Sequence, residues 1–579
     1  MHDLTIAYTI AMPEPWTHEY HVRIDIEGIT GDTLDLAMPV WTPGSYLVRE
    51  FGRHVSRFTA LAPDGTPLHW ERVDKATWRV HTGGQTAVSV RYRVYAFEWT
   101  VRTSHLTSEH GYFNGTSVFM YVVGQTQTPV SLRIHPYEGW RVSIALPQDE
   151  EGRYHARSYD ELADSPAEIG THRLFRFEVQ GRPHEIALFG HGNEEPDRLV
   201  ADIQRIVETV AAFFKNDIPY ERYLFIIHLG DGLRGGLEHR NATTIAVDRW
   251  AFQDEARYTD VLRLVAHEFF HTWHVKRIRP HNFDPFDYSR EVYTPLLWVM
   301  EGFTAYYDAL FVRRAGLTSP EAYLDYLGTR IANYLNIPGR HEMSVAESSL
   351  LAWIKLYRRD ENTDNSTVSY YLKGSLLALL LDIDLRVQSQ GRRSLDDVEW
   401  ALWERYGRRD RGFTPDEFRA VLEEVGGRSY EAFFARYVEG TDELPLAEAL
   451  RALGLHLHLE VDAGTPRAWL GVELREEANT VRIASVRRDS PAAHHDINAN
   501  DLLLAWNGFY VRDTAFVRER LRESQPGDVV RLHLVRDGRL IERQVVLGET
   551  PPNRATLRPA EDATPEQQAL LHAWLEGLS

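Results

Sequence analysis

The sequence predicts a multidomain α+β protein: a β-rich N-terminal domain, a mixed region that becomes mostly helical, and a return to short strands near the end. Three observations carry this. Short alternating apolar and polar runs fill roughly the first 190 residues, helical periodicity sets in near Arg198 and helical segments dominate from about 295 to 453, and strand-like runs resume after about Gly454. A chain of 579 residues is long enough for three or four domains, each with its own core. The predicted divisions are 1–190, 191–455, 456–550 and a tail at 551–579.

In the first region, His21-Val-Arg-Ile-Asp-Ile, Val88-Ser-Val-Arg-Tyr-Arg-Val-Tyr and Leu174-Phe-Arg-Phe-Glu-Val alternate with period two between Gly, Pro and Asp turns. Two clusters stand out there, Trp41-Thr-Pro-Gly-Ser-Tyr46 and Tyr112-Phe-Asn-Gly-Thr116. They read as turns with buried aromatic anchors; the alternative is a loop that walls one side of a site. Leu199, Ile203, Ile206, Val207, Val210, Ala211 and Phe214 then form one helical face, followed by the strand Tyr223-Leu-Phe-Ile-Ile-His-Leu. Helices are expected at 296–315, 369–388 and 415–438, with an irregular basic segment at 276–288. A short terminal helix is expected at 565–578.

Composition narrows the chemistry. A net charge of −20 argues against a nucleic-acid partner, whose phosphates are bound by clustered Lys and Arg, and is compatible with cationic substrates such as free amino termini. There is no cysteine, so thiol catalysis and disulfides are excluded and any zinc must be held by His, Asp or Glu. No apolar run reaches membrane-span length and the start lacks a signal-peptide pattern, which makes a cytoplasmic location the default expectation.

The stretch around which the rest is organised is Leu264-Val-Ala-His267-Glu268-Phe-Phe-His271-Thr-Trp-His274. Two histidines four apart on a helix lie one turn apart on one face, so both can reach one metal ion. Glu268 beside them is placed to act on a water molecule. This is the H-E-x-x-H pattern of zinc hydrolases. A catalytic zinc normally takes three protein ligands. Glu291 and Glu301 compete for the third place. Glu301 is favoured because it lies in the apolar helix Leu-Trp-Val-Met-Glu301-Gly-Phe, where a ligand can be held rigidly and a carboxylate needs a reason to be buried. His274 reads as a support behind the ligands. Gly235-Gly236-Leu-Glu238-His239 is a glycine turn that presents a carboxylate able to bind a substrate amine, beside backbone able to contact a peptide. Tyr371, in Tyr371-Leu-Lys-Gly374, can hydrogen-bond an oxyanion.

Taken in order, Gly-Gly-Leu-Glu238, His267-Glu-Phe-Phe-His271-Thr-Trp, Glu301-Gly-Phe-Thr and Tyr371-Leu-Lys-Gly resemble four signatures of gluzincin aminopeptidases. His239 stands where the large leucyl/alanyl group has Asn, and the His271–Glu301 interval is longer. Residues 466–548, with Leu470-Gly471-Val472 as carboxylate loop and a helix at 518–524, resemble a PDZ domain. With Trp41-Thr-Pro-Gly-Ser-Tyr and Lys276-Arg-Ile-Arg-Pro, the likeness from about residue 5 to 550 is to the glycyl aminopeptidase family of PDZ-containing metallopeptidases. The resemblance implies a thermolysin-like catalytic domain with a helical extension, one zinc per chain on His267, His271 and Glu301, and Glu268 and Tyr371 as catalytic residues. It also implies Glu238, Gly235 and Gly236 at the substrate, small N-terminal residues (Gly or Ala) as preference, and peptides with a free N-terminus as substrates. A peptide C-terminus is the expected partner of the PDZ-like domain. A zinc endopeptidase, or a non-catalytic scaffold for peptide C-termini, are the competing readings.

Overall fold

The structure, a computed structural model, describes residues 4–478 and 480–577. Leu578, where the terminal helix is expected to end, lies outside them. The chain forms two compact units: Met1–Thr294, Tyr307–Thr318 and Asp396–Val421 make the first, and Pro295–Tyr306, Ser319–Leu395 and Leu422–Ser579 the second.

In the first unit the predicted alternation becomes sheet. Strands Glu19–Glu27 and Ala87–Tyr95 bury every second side chain, and they pair antiparallel within a six-stranded sheet that also holds Thr5–Ala11, Val55–Leu61, Val130–His135 and Tyr154–Ala156. Two four-stranded sheets accompany it. Their inward residues, among them Tyr8, Ile24, Trp78, Val90 and Phe119, form one continuous core.

A separate five-stranded sheet carries the site. Its order is Arg173–Val179, Arg182–Phe189, Tyr223–Gly230, Ala242–Asp248 and Arg234–Glu238, the middle three parallel. The hairpin 173–189, which the sequence groups with the N-terminal strands, thus joins the later sheet. All eight residues of Tyr223–Gly230 are buried, as expected of a central parallel strand covered on both faces. Helices Pro196–Phe213 and Glu255–Phe270 pack together beside this sheet. Arg234–Glu238 is its edge, paired antiparallel to Ala242–Asp248.

The rest of the chain is helical, then β. The helices expected at 296–315 and 369–388 are Leu297–Arg314 and Tyr370–Ser389. The one expected at 415–438 is Pro415–Gly426 followed by short turns at Glu431–Phe433 and Phe434–Val438. Strands Val472–Glu477, Thr480–Val486, Leu502–Trp506, Val529–Arg536 and Arg539–Val546 form an antiparallel sheet around Val481, Ile483, Leu532 and Leu534. Gly471 packs onto Ser490, where a Cβ would come within 2.1 Å of the serine Cβ. The helix beside this sheet begins at Thr514, earlier than the sequence suggests, because Asp513 caps it by accepting from the Phe516 N–H. Asn365 ties the sheet to the helical part: its Nδ2 donates to the Val486 carbonyl at 2.9 Å, and its Oδ1 accepts from the Arg488 N–H at 2.8 Å. The tail is folded as well. Strand Arg554–Pro559 pairs with Leu455–Glu460, and helix Pro565–Glu576 buries Trp574. No helix among the described residues is long and apolar enough to cross a membrane.

Candidate active site

The motif helix Glu255–Phe270 starts on Asp254, whose carboxylate accepts from the Arg257 N–H, and ends at the motif itself, with His271 as its C-terminal cap. The rings of His267 and His271 lie 4.7 Å apart and nearly perpendicular. Each is oriented through Nδ1: His267 against Asp308 Oδ2 at 3.0 Å, His271 against the His274 carbonyl at 2.7 Å. With Nδ1–H donating, Nε2 is the nitrogen whose lone pair can bind a metal. His274 itself lies beyond the helix end rather than on its face. It supports His271 through its backbone, while its own ring Nδ1 meets Glu399 at 2.8 Å.

Strand Arg234–Glu238 crosses directly over the motif. A Cβ on Gly236 would sit 1.9 Å from Glu268 Oε1, so the strand can pass only because that residue is glycine. Glu238, Glu268 and His271 each offer a ligand atom within 4.8 Å of the others. Glu238 is 4% exposed, and among the described residues nothing donates to or pairs with its carboxylate. Two buried carboxylates this close repel unless a cation is supplied, so a divalent metal and an ammonium group both suit the arrangement. Arg102 Nη2 donates to the Gly236 carbonyl at 3.3 Å.

His239 turns away from this chemistry. Its Nδ1 meets Asp164 Oδ1 at 3.1 Å, and Asp164 also accepts from Lys276 Nζ at 2.7 Å and from the Arg240 N–H at 2.8 Å. Burial pushes the Asp164 carboxyl up, but the Lys276 ammonium and the His239 contact outweigh it and hold it below the usual carboxylate range. The two aromatic and glycine clusters of the N-terminal region meet here too. Their rings are buried anchors, as expected, and Asn114 Nδ2 donates to Thr42 Oγ1 at 3.2 Å. Together with Glu238 and Lys276 they wall a cavity of about 260 Å³.

In the second unit, Glu301 is 2% exposed within its helix, whereas Glu291 of the first unit lies half-buried in an irregular stretch. Ser369 caps the helix that carries Tyr371, and the ring of Tyr371 stacks on Tyr370 at 4.8 Å. The two helices touch at a glycine pair: a Cβ on Gly302 would lie 2.6 Å from the Gly374 Cα. This contact fixes Glu301 and Tyr371 relative to one another. Lys373, next to Gly374, is fully buried, its ammonium lowered to about 8 by burial. Sequence reasoning passed over Asp308 and Asp164. Of these only Asp308 left a signal, lying seven residues after Glu301 on the same helical face.

Residues 7–171 match the Peptidase M61 N-terminal domain, residues 260–377 the M61 glycyl aminopeptidase family, and residues 468–547 the PDZ domain. A solved structure described as an aminopeptidase N family protein from Idiomarina loihiensis is 31% identical, covers 99% of this chain and 100% of its own, and superposes at TM-score 0.92. The chain belongs to the M61 glycyl aminopeptidase family. As a member it is a zinc aminopeptidase, a hydrolase of peptide bonds. The M61 match spans His267, His271, Glu301 and Tyr371, while Glu238 lies outside it. An M1 zinc metallopeptidase from Deinococcus radiodurans is 12% identical, with TM-score 0.47 over 77% of this chain and 96% of its own. No curated protein matches the chain.

Proposed function

We propose that this M61 peptidase removes single small residues, glycine or alanine, from the free N-termini of peptides, using one zinc ion held by His267, His271 and Glu301. Two imidazoles and one carboxylate are the donor set of a hydrolytic zinc site with a position left for water. Bound there, zinc supplies Lewis-acid polarisation of the scissile carbonyl and acidifies a water molecule. Glu268 takes the proton of the attacking water and delivers it to the departing amine nitrogen. Tyr371 donates its phenol O–H to the carbonyl oxygen as negative charge develops there. Glu238 binds the α-ammonium group of the substrate, which places the first peptide bond, and no later one, at Glu268.

The observation that carries the exopeptidase reading is Glu238: a buried carboxylate without a partner among the described residues, within reach of the catalytic base. An endopeptidase would have no use for such a charge. Gly235 and Gly236 would meet the peptide through the edge of their strand. Because N–H and C=O of one strand residue point the same way and Arg102 takes the Gly236 carbonyl, the Gly236 N–H also faces that edge. The PDZ domain would take a peptide C-terminus at Leu470-Gly471-Val472. A panel of aminoacyl chromogenic amides, run with and without chelator, tests the reading. Glycyl and alanyl substrates should be turned over fastest and chelation should abolish turnover; a flat panel, or activity insensitive to chelator, would refute it.

A further inference from the structure

The loop Trp41-Thr-Pro-Gly-Ser-Tyr46 lies against the amine-binding carboxylate itself. Gly44 has φ +85°, and a Cβ there would come within 2.5 and 2.6 Å of the two carboxylate oxygens of Glu238 and 2.7 Å of Leu237 Cδ1. Gly44 therefore packs its backbone directly on both oxygens, at a spot where no side chain fits. The loop that delivers it is held on several sides. Trp41 Nε1 donates to the Asp287 carbonyl at 2.8 Å, Asn114 holds Thr42 at 3.2 Å, and Arg49 Nη2 donates to Ser45 Oγ at 2.8 Å. Just past Glu238, Asp164 pins the chain through His239, Arg240 and Lys276. Glu238 is thus gripped between a loop of the N-terminal region and a charge-locked strand end.

We infer that the Trp41–Tyr46 loop is a working part of the amine site, with Gly44 as the positioning residue that sets where the Glu238 carboxylate, and hence the α-ammonium group of the substrate, sits. This rests on the amine-binding role proposed above for Glu238. A carboxylate displaced by one methyl group moves the whole peptide relative to Glu268, and such misplacement is costly for the reaction. The coupling is specific: it runs through the length of the Glu238 side chain, so a shorter acid should relieve it.

The test is a double-mutant cycle on the zinc-replete enzyme with an alanyl chromogenic amide, monitored for zinc content and thermal midpoint. Gly44→Ala should lower kcat/KM at least about tenfold, mainly through kcat, with zinc retained. In a Glu238→Asp background, whose carboxylate is withdrawn by one methylene, the same substitution should cost less than about threefold. Equal losses in both backgrounds, or no loss at all, would overturn the inference. Should Gly44→Ala fail to fold, Ser45→Ala removes the Arg49 anchor without adding bulk. It should lower kcat/KM in the same direction, again suppressed by Glu238→Asp, and a folded Ser45→Ala enzyme with unchanged kcat/KM would also overturn the inference. The underlying reading fails separately: it falls if Glu238→Ala keeps the wild-type preference for free over N-acetylated substrate.

Discussion

At the residue scale the site works by what stands behind each reacting group. Glu268 is packed under Gly236 beside His271. Its replacement by Gln should leave the metal in place and remove nearly all turnover, which metal analysis alongside kinetics would show; normal turnover from the metal-replete variant would exclude it as the base. Asp308 orients His267 through the ring Nδ1. Asp308→Ala should therefore weaken zinc binding by about 10–100-fold, readable by chelator competition. If Tyr371 donates to the developing oxyanion as proposed, Tyr371→Phe should lower kcat by about 10²-fold with little change in KM. The histidine pair and Glu268 were legible in the sequence because ligand chemistry demands a fixed spacing on one helix. Asp308 and Asp164 were not, because a supporting contact needs only proximity, which the chain supplies from distant segments without a local pattern; the cluster holding Gly44 stood out, but nothing local pairs it with Glu238.

At the element scale, the hairpin Arg173–Phe189 reads like the strands before it, since period-two alternation reports one buried face and not which sheet provides it. Between that hairpin and the N-terminal strands lies a buried chain of titratable groups. His105 Nδ1 meets His110 Nε2 at 2.9 Å, His110 Nδ1 meets Glu168 at 2.8 Å, and the other Glu168 oxygen meets His228 Nε2 at 2.9 Å. Burial pushes the Glu168 carboxyl up, but the charge of His110 and the two histidine hydrogen bonds bring it down to about 2, while burial brings His105 down to about 3. Both groups bind a proton more readily unfolded than folded. The His105 contribution to stability is complete above its ordinary value of 6.5 and is lost as pH falls toward about 3; that of Glu168 is complete above 4.5 and lost as pH falls toward about 2. Urea unfolding of the chelated protein should therefore show stability declining below about pH 6.5, and His105→Gln should reduce that slope by up to about 1.4 kcal/mol per pH unit. An unchanged slope would place the acid sensitivity elsewhere.

At the scale of the whole molecule, the order of strand-rich, mixed, helical and again strand-rich regions was legible because each has its own periodicity sustained over many residues. The tail was not. Arg554–Pro559 is a short, mostly polar run that shows its strand character only once paired with Leu455–Glu460, and Trp574 behind it is fully buried, its Nε1 donating to Tyr306 Oη at 2.8 Å. Trp574→Ala should accordingly destabilise the second unit by about 3–5 kcal/mol, measurable by denaturant unfolding, and a loss below about 1 kcal/mol would mean the tail is dispensable. What the chain is organised to do turns on the free N-terminus. The most direct measurement follows one glycine- or alanine-initiated peptide, free and N-acetylated, by mass spectrometry with the zinc-replete enzyme. Release of the first residue from the free peptide alone is the expected result; comparable hydrolysis of the acetylated peptide, or cutting at an internal bond, would contradict it.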